Sequence, residues 1–233
     1  MTTQPQQFPG RWLGGISLVL GPALLLAGVL TRFGVYFFFP AQLAGYAAEP
    51  LRLTVSYSLV AAGLVLLCPA VLALSARIGN AWGAFGTAFV LIGLFARVFH
   101  AGVDHLAFRL VDSRQSAVAT EVVAAGYGVP HVFSVTAAAA VFGWPLLAFG
   151  AYRAGVFGPL GGLALAAMAA LPVGVLKGST ISSVVAAAAL CLALVPLGVR
   201  VLRTGGRPDR AGMVKFAAVV VGAAGLGWLS TMG

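Results

Sequence analysis

Long apolar runs, broken by brief polar punctuation, organise this chain from end to end. They fall near residues 14–31, 54–75, 82–106, 132–151, 156–175, 181–202 and 214–231. Most reach the ~20 residues that a helix needs to cross a bilayer. The pattern predicts an all-α, polytopic membrane helical bundle of about seven transmembrane helices. The shortness of the last two loops leaves a six-span alternative, with one run re-entrant or interfacial. The stretch RLVDSRQSAVATEVVAAGYGVPHVF predicts a short amphipathic or re-entrant helix near 114–125, ended by Gly126 and Gly128. Pro130 then starts the fourth span. Pro22, Pro69, Pro145, Pro159, Pro172 and Pro196 put a potential kink in five spans, whereas the third has none. Gly158 and Gly162, among many alanines, predict close helix contacts of the small-xxx-small kind.

Composition turns that pattern into a fold class. The chain is 61% apolar and only 8% charged, with a mean hydropathy of +1.02. An ordinary soluble domain is excluded. Spans and turns consume nearly all 233 residues, so residues 1–233 read as one bundle domain. There is no room for a soluble catalytic, nucleotide-binding or nucleic-acid-binding domain. The first run, after Arg11, is too long for a signal peptide, lacks a small-residue cleavage site, and reads as a retained helix.

The net charge of +9 is spread singly along the chain, apart from RVLRTGGRPDR and Lys215 between the last two spans. No nucleic-acid partner follows from it. With seven spans, Arg11, Arg77, Arg153, Arg200, Arg203, Arg207, Arg210 and Lys215 share one side, against Arg32, Arg52, Arg109, Arg114 and Lys177 on the other. The positive-inside rule then puts the N-terminus in the cytoplasm. Glu49, Asp104, Asp112, Glu121 and all three histidines gather toward the outer face. Cys68 and Cys191 lie within apolar runs and read as packing residues. Twelve arginines against two lysines, with abundant Ala and Gly, suit a high-GC bacterium. The expected location is therefore a bacterial plasma membrane.

The polar outer end holds the candidate chemistry. In ARVFHAGVDHLAF, residues 96–108, the spacing of Arg97, His100 and Asp104 by three and four puts them on one helical stripe rising roughly 10 Å. His105 lies about 100° further round. Charges at this depth must be paired or hydrated, so Arg97 should face the bundle interior or a watery cavity. His131, Glu121 and the aromatic-rich segment with Phe37, Phe38, Phe39, Tyr46 and Glu49 fall at a similar depth. Two structural accounts stand beside any function. Either Arg97, His100 and Asp104 pin helix three to its neighbours, or Arg97 and Asp104 snorkel to water. The aromatics, similarly, suit an interfacial belt or a pocket lining.

Three functional classes fit. The first is an enzyme using acid–base chemistry on a hydrophobic small-molecule substrate drawn from the membrane lipid, with no cofactor. Asp104 or Glu49 would be the acid and His100 or His131 the base. Arg97, Phe95, Phe99, Phe108, Tyr46 and Trp82 would bind substrate, the rings stabilising cationic intermediates. Arg97 weighs against a protonated Asp104, an objection that Glu49 escapes. In size, spans and polar outer end the chain resembles the small integral-membrane terpene cyclases of meroterpenoid and indole-terpenoid pathways. That resemblance implies proton-initiated cyclisation of an isoprenoid. It is one of architecture, with no motif matched position by position, and it transfers no catalytic residue. The second class is a Zn-type membrane hydrolase or a haem protein, with His100, Asp104, His105 and His131 as ligands and Glu121 as a further donor. The third is a small transporter or accessory subunit, in which the Arg97, His100 and Asp104 ladder moves protons or recognises an anion. No polar row continues to the inner face.

Overall fold

The computed structural model describes residues 10–36, 38–113, 116–128, 132, 136, 138–170, 180–204 and 210–230. Its elements are α1 (Gly10–Thr31), α2 (Ala41–Ala48), α3 (Pro50–Ile78), α4 (Ala81–Asp112), α5 (Ser116–Gly128), α6 (Ala139–Arg153), α7 (Pro159–Ala166, continued by a 3-10 turn, Ala167–Ala170), α8 (Ile181–Arg203) and α9 (Arg210–Ser230). There is no strand among the described residues. The chain is an all-α helical bundle. Four helices, α1, α3, α4 and α8, are long and apolar enough to cross a membrane.

These helices close into a ring. α1 packs on α3, α3 on α4, α4 on α6, α6 on α7, α7 on α8, and α8 returns to α1. The ring surrounds a core that includes Leu18, Leu25, Leu67, Val90, Trp144, Leu147, Leu190 and Leu194. α9 stands apart, with no substantial packing on the other described helices. Gly79 ends α3 in the left-handed conformation at φ 63°, which suits a residue without a side chain. Asn80 caps α4 by accepting from the Gly83 amide at 2.9 Å and donates to the Gly150 carbonyl at 2.9 Å. Two residues thus reverse the chain and tie α4 to α6.

Lipid offers little hydrophobic reward for bringing two apolar helices together, so the crossings depend on backbone approach at small residues. A side-chain carbon at Gly63 would lie 2.7 Å from the Leu25 amide, and one at Gly28 2.7 Å from the Ser56 carbonyl. Gly86, Gly93, Gly143 and Gly150 play the same part between α4 and α6, and Gly15 and Gly198 between α1 and α8. The expected contacts at Gly158 and Gly162 are not where the chain packs closely. Nothing lies within 4 Å of a Cβ at Gly158, and Gly162 makes only ordinary contact at 3.8 Å. Gly158 sits at the start of α7, outside any helix crossing.

Two further expectations are corrected, and a third stands at its second glycine. The segment between the first two spans folds as α2 and buries Gln42, Leu43 and Tyr46 against its neighbours. α5 includes Gly126 and ends at Gly128, as its glycines suggested. Pro159 opens α7 instead of kinking a helix. Pro130, His131 and Pro172 lie outside the described residues. The antiparallel ring gathers Arg11, Arg77, Arg153, Arg200 and Arg203 at one end, and Arg32, Arg52 and Arg109 at the other. If the Gly63 approach closes the α1–α3 crossing, Gly63→Leu should cost about 3 kcal/mol in detergent unfolding. Gly158→Ala, in open space, should leave the transition unmoved.

Candidate functional site

The polar end of the ring is built where α1 ends, α2 folds over, α3 begins and α4 nears its close. At ~1.5 Å per residue, Asp104 lies roughly 35 Å along α4 from Ala81, near the far edge of a ~30 Å hydrocarbon layer. Arg97 lies about 10 Å deeper. The stripe geometry holds for His100 and Asp104, which are each 4% exposed, while Arg97 is half-buried.

Around Asp104 gather side chains that helical periodicity on α4 does not reveal. Arg32, one residue past α1, is 4% exposed, and its guanidinium stacks 4.5 Å above the Tyr57 ring. Gln42 of α2, 1% exposed, donates from Nε2 to the Tyr57 hydroxyl at 2.5 Å and approaches Asp104 Oδ1 at 3.4 Å. Tyr57 is 3% exposed. Burial lowers the Arg32 pKa and the Arg97 charge adds to that, while Tyr57 and Asp104 oppose it. The result is a closed centre of Arg32, Gln42, Tyr57, His100 and Asp104 with Arg97 on its flank. Tyr57, Arg32 and Gln42 are not among the expected site residues; a tyrosine hydroxyl two turns inside an apolar helix is the signal that could have pointed here.

Close helix packing puts these groups in register. Ser56 Oγ donates to the Gly28 carbonyl at 2.6 Å, locking the end of α1 to the start of α3. Arg52 donates to the carbonyls of Thr31 at 2.6 Å and Phe33 at 2.9 Å, closing the C-terminal end of α1 just where Arg32 turns inward. On the outer side of the polar groups, Leu43, Tyr46, Leu53, Tyr57, Ala107, Phe108, Ala119 and Val123 form a second apolar cluster, to which α5 contributes.

The remaining expected residues are scattered. His105 turns from the stripe toward α3. Its Nδ1 meets the Ala101 carbonyl at 2.8 Å, its Nε2 meets Ser58 Oγ at 3.4 Å, and its ring stands edge-on to Tyr57. Tyr46 and Phe108 stack on each other at 4.2 Å beside Tyr57. Phe95, Phe99 and Trp82 point outward from α4, and Trp82 stands edge-on to Phe149 near the opposite end. The structure does not gather the five expected rings into one lining. Glu49 is exposed and accepts from Arg52 at 3.0 Å, so the expectation that it escapes a neighbouring cation is corrected. Glu121 is exposed on α5, and His131 lies outside the described residues. Among the described residues, no three His, Cys, Asp or Glu side chains come together as a metal site. Two apolar clefts run along α7, of about 130 and 370 Å³, one lined by Phe157, Leu192 and Arg200 and the other by Phe149, Tyr152 and Leu163. Neither touches the polar centre.

The chain matches no protein-family model, no curated protein and no solved structure.

α2 is latched at its far end by Tyr46, whose hydroxyl donates to the Asp112 carboxylate at 2.9 Å. Burial and this hydrogen bond raise the Tyr46 pKa above its ordinary value. The folded state therefore favours the protonated phenol. Its stabilisation is fully present below the ~10 at which an unfolded tyrosine ionises, and is lost as pH rises through the higher folded value. The 295 nm absorbance difference between wild type and Tyr46→Phe should accordingly titrate above pH ~10. A step at or below that value would contradict the latch.

Proposed function

We propose that the chain is a membrane-embedded enzyme that performs acid–base chemistry on the polar end of a lipid-soluble substrate, at the centre where α1, α2, α3 and α4 meet. One observation carries this reading. Five polar side chains are sealed together at the edge of the hydrocarbon layer, where burying them is costly and apolar packing would hold the helices as well. A long apolar molecule lying in the bilayer would present its polar end at this depth. The arginine distribution supports an N-terminus in the cytoplasm and a centre on the outer side of a bacterial plasma membrane.

The residues divide the work by their surroundings. A carboxyl beside a fixed cation is suited to accepting a proton rather than donating one, so Asp104 serves as the base or as the acceptor that orients the substrate. His100, one turn before it on the same stripe, relays the proton. Tyr57 and Gln42 hold the polar end in place. Access requires α2 to shift, since Gln42 lies across the centre. Proton-initiated isoprenoid cyclisation is the sharper form of this reading and the less well supported one. It needs an uncharged acid, whereas Glu49 is paired with Arg52 and the charges of Asp104 and Arg32 act on each other.

The test is turnover of a lipid extract from the source membrane by purified protein, followed by mass spectrometry. Asp104→Asn and His100→Gln should fold normally and slow conversion by about 10²-fold or more, the usual worth of a positioned acid or base. Full activity in both variants would overturn the proposal. Loss of turnover in Glu49→Gln alone would instead favour the alkene-protonating acid. A stoichiometric metal lost in His100→Ala and His131→Ala would move the function to metal-assisted hydrolysis.

A further inference from the structure

Of the two clefts along α7, the smaller carries a charge at one end. It lies between the start of α7 and the C-terminal half of α8, holds about 130 Å³, and has Phe157, Gly161, Leu192, Pro196 and Arg200 in its walls. Leu192, Pro196 and Arg200 recur every four residues, so they form one stripe on α8 that runs roughly 12 Å from the cation toward the middle of the bundle. The turn before α7 supplies the facing wall. Gly155 takes the left-handed conformation at φ 69°, and the amides of Val156 and Phe157 donate back to the Ala151 carbonyl at 3.0 and 3.4 Å. Phe157 is thereby held half-buried across from α8. On the other side, Pro196 has no amide to give the Leu192 carbonyl, so the cleft lies along an interruption in α8.

A basic last turn needs no ligand to explain it, because cations favour a helix C-terminus and collect at one end of a membrane bundle. That account stops short of the cleft. The Arg200 carbonyl is already taken by the Thr204 amide at 2.9 Å and the Thr204 hydroxyl at 2.8 Å. Arg200 and Arg203 are both exposed, and their three-residue spacing makes them neighbours on the helix surface. Among the described residues, neither guanidinium pairs with a carboxylate. Asp209, the nearest acid in sequence, lies outside the described residues. Arg77, at the same end of the ring but on α3, instead donates to the Ala73 carbonyl at 2.7 Å. What sets α8 apart is the junction of two exposed guanidiniums with an apolar cleft that leads into the hydrocarbon layer.

We infer that this cleft binds an acidic phospholipid, with one acyl chain lying along Leu192 and Pro196 against Phe157 and the phosphate seated between Arg200 and Arg203. Guanidiniums match phosphate oxygens in pairs, and basic pockets between membrane helices suit such head groups. Charge complementarity selects this occupant. A zwitterionic lipid brings its own cation to a basic mouth, and a second copy of the chain packed symmetrically on this face would bring the same arginines together. The inference concerns the end of the ring opposite the polar centre and does not depend on the chemistry proposed there.

The test is native mass spectrometry of the delipidated full chain in mild detergent, titrated with phosphatidylglycerol and phosphatidylcholine of identical acyl chains. The first phosphatidylglycerol should bind about tenfold more tightly than the first phosphatidylcholine. Arg200→Gln should weaken phosphatidylglycerol about fivefold, the worth of one arginine at an anionic surface, and leave phosphatidylcholine unchanged. Arg77→Gln, which removes the same charge from α3, should leave both unchanged. Gly161→Met, which puts a side chain into the cleft, should weaken both lipids. Equal binding of the two lipids by the wild type would overturn the acidic head group. An equal loss in Arg77→Gln and Arg200→Gln would overturn the cleft as its seat, assigning the preference to the charge of the whole end. A dimer that forms only when lipid is removed from this face would assign the cleft to a second copy and overturn the lipid. If Gly161→Met fails to fold, the comparison of Arg200→Gln with Arg77→Gln decides alone, since Arg200 is exposed and its replacement removes no packing.

Discussion

The crossing of α1 and α3 is the constraint on which the rest depends. In a bilayer, two apolar helices gain little by leaving lipid for each other, and the gain comes from van der Waals contact at short range. Gly28 and Gly63 let the two backbones touch, and Ser56 adds a hydrogen bond at the same level. Because the helices meet this closely, the end of α1 arrives directly over the start of α3. Arg32 then has Tyr57 beneath it. A looser crossing would leave Arg32 in the headgroups and the centre without its most deeply buried cation.

From that crossing the site follows as a chain of supports. Arg52 closes the open carbonyls at the end of α1, so the turn at Arg32 is held from outside as well as from below. α2 is held by Leu43 and Tyr46 in the second apolar cluster and by polar contacts near both its ends: Gln42 over Tyr57 and Asp104, and Tyr46 on Asp112. The stacked rings of Tyr46 and Phe108, with Tyr57 edge-on, flank those polar contacts with an apolar wall. Electrostatics in such surroundings are screened far less than at an aqueous surface.

How much of this was legible in the sequence depends on whether the determinant is local. The long apolar runs and the α4 stripe are properties of one helix at a time, so the positions of α1, α3, α4 and α8 and the burial of His100 and Asp104 could be read from spacing. Arg32 read as a loop charge because its burial is made by α3 and α2, which periodicity cannot place. Gln42 sat in a segment taken as a connection, since an eight-residue helix is too short for a strong periodic signal. Among 31 glycines, small-residue spacing cannot distinguish a crossing from a helix start. The spacing therefore points to Gly158 and Gly162, whereas the close approaches fall at Gly28 and Gly63.

The ring also imposes an order on how the molecule is made. A chain is synthesised from its N-terminus, and every described member of the polar centre, from Arg32 to Asp104, lies in its first half. The contacts that seal the ring are of another kind. Gly15 of α1 rests against Val201 and Leu202 of α8, so α1 waits for nearly the whole polypeptide before its second partner exists. The described centre can therefore be assembled on the ribosome while the wall opposite it is still unwritten, and closing that wall is the last act of synthesis that α1 records.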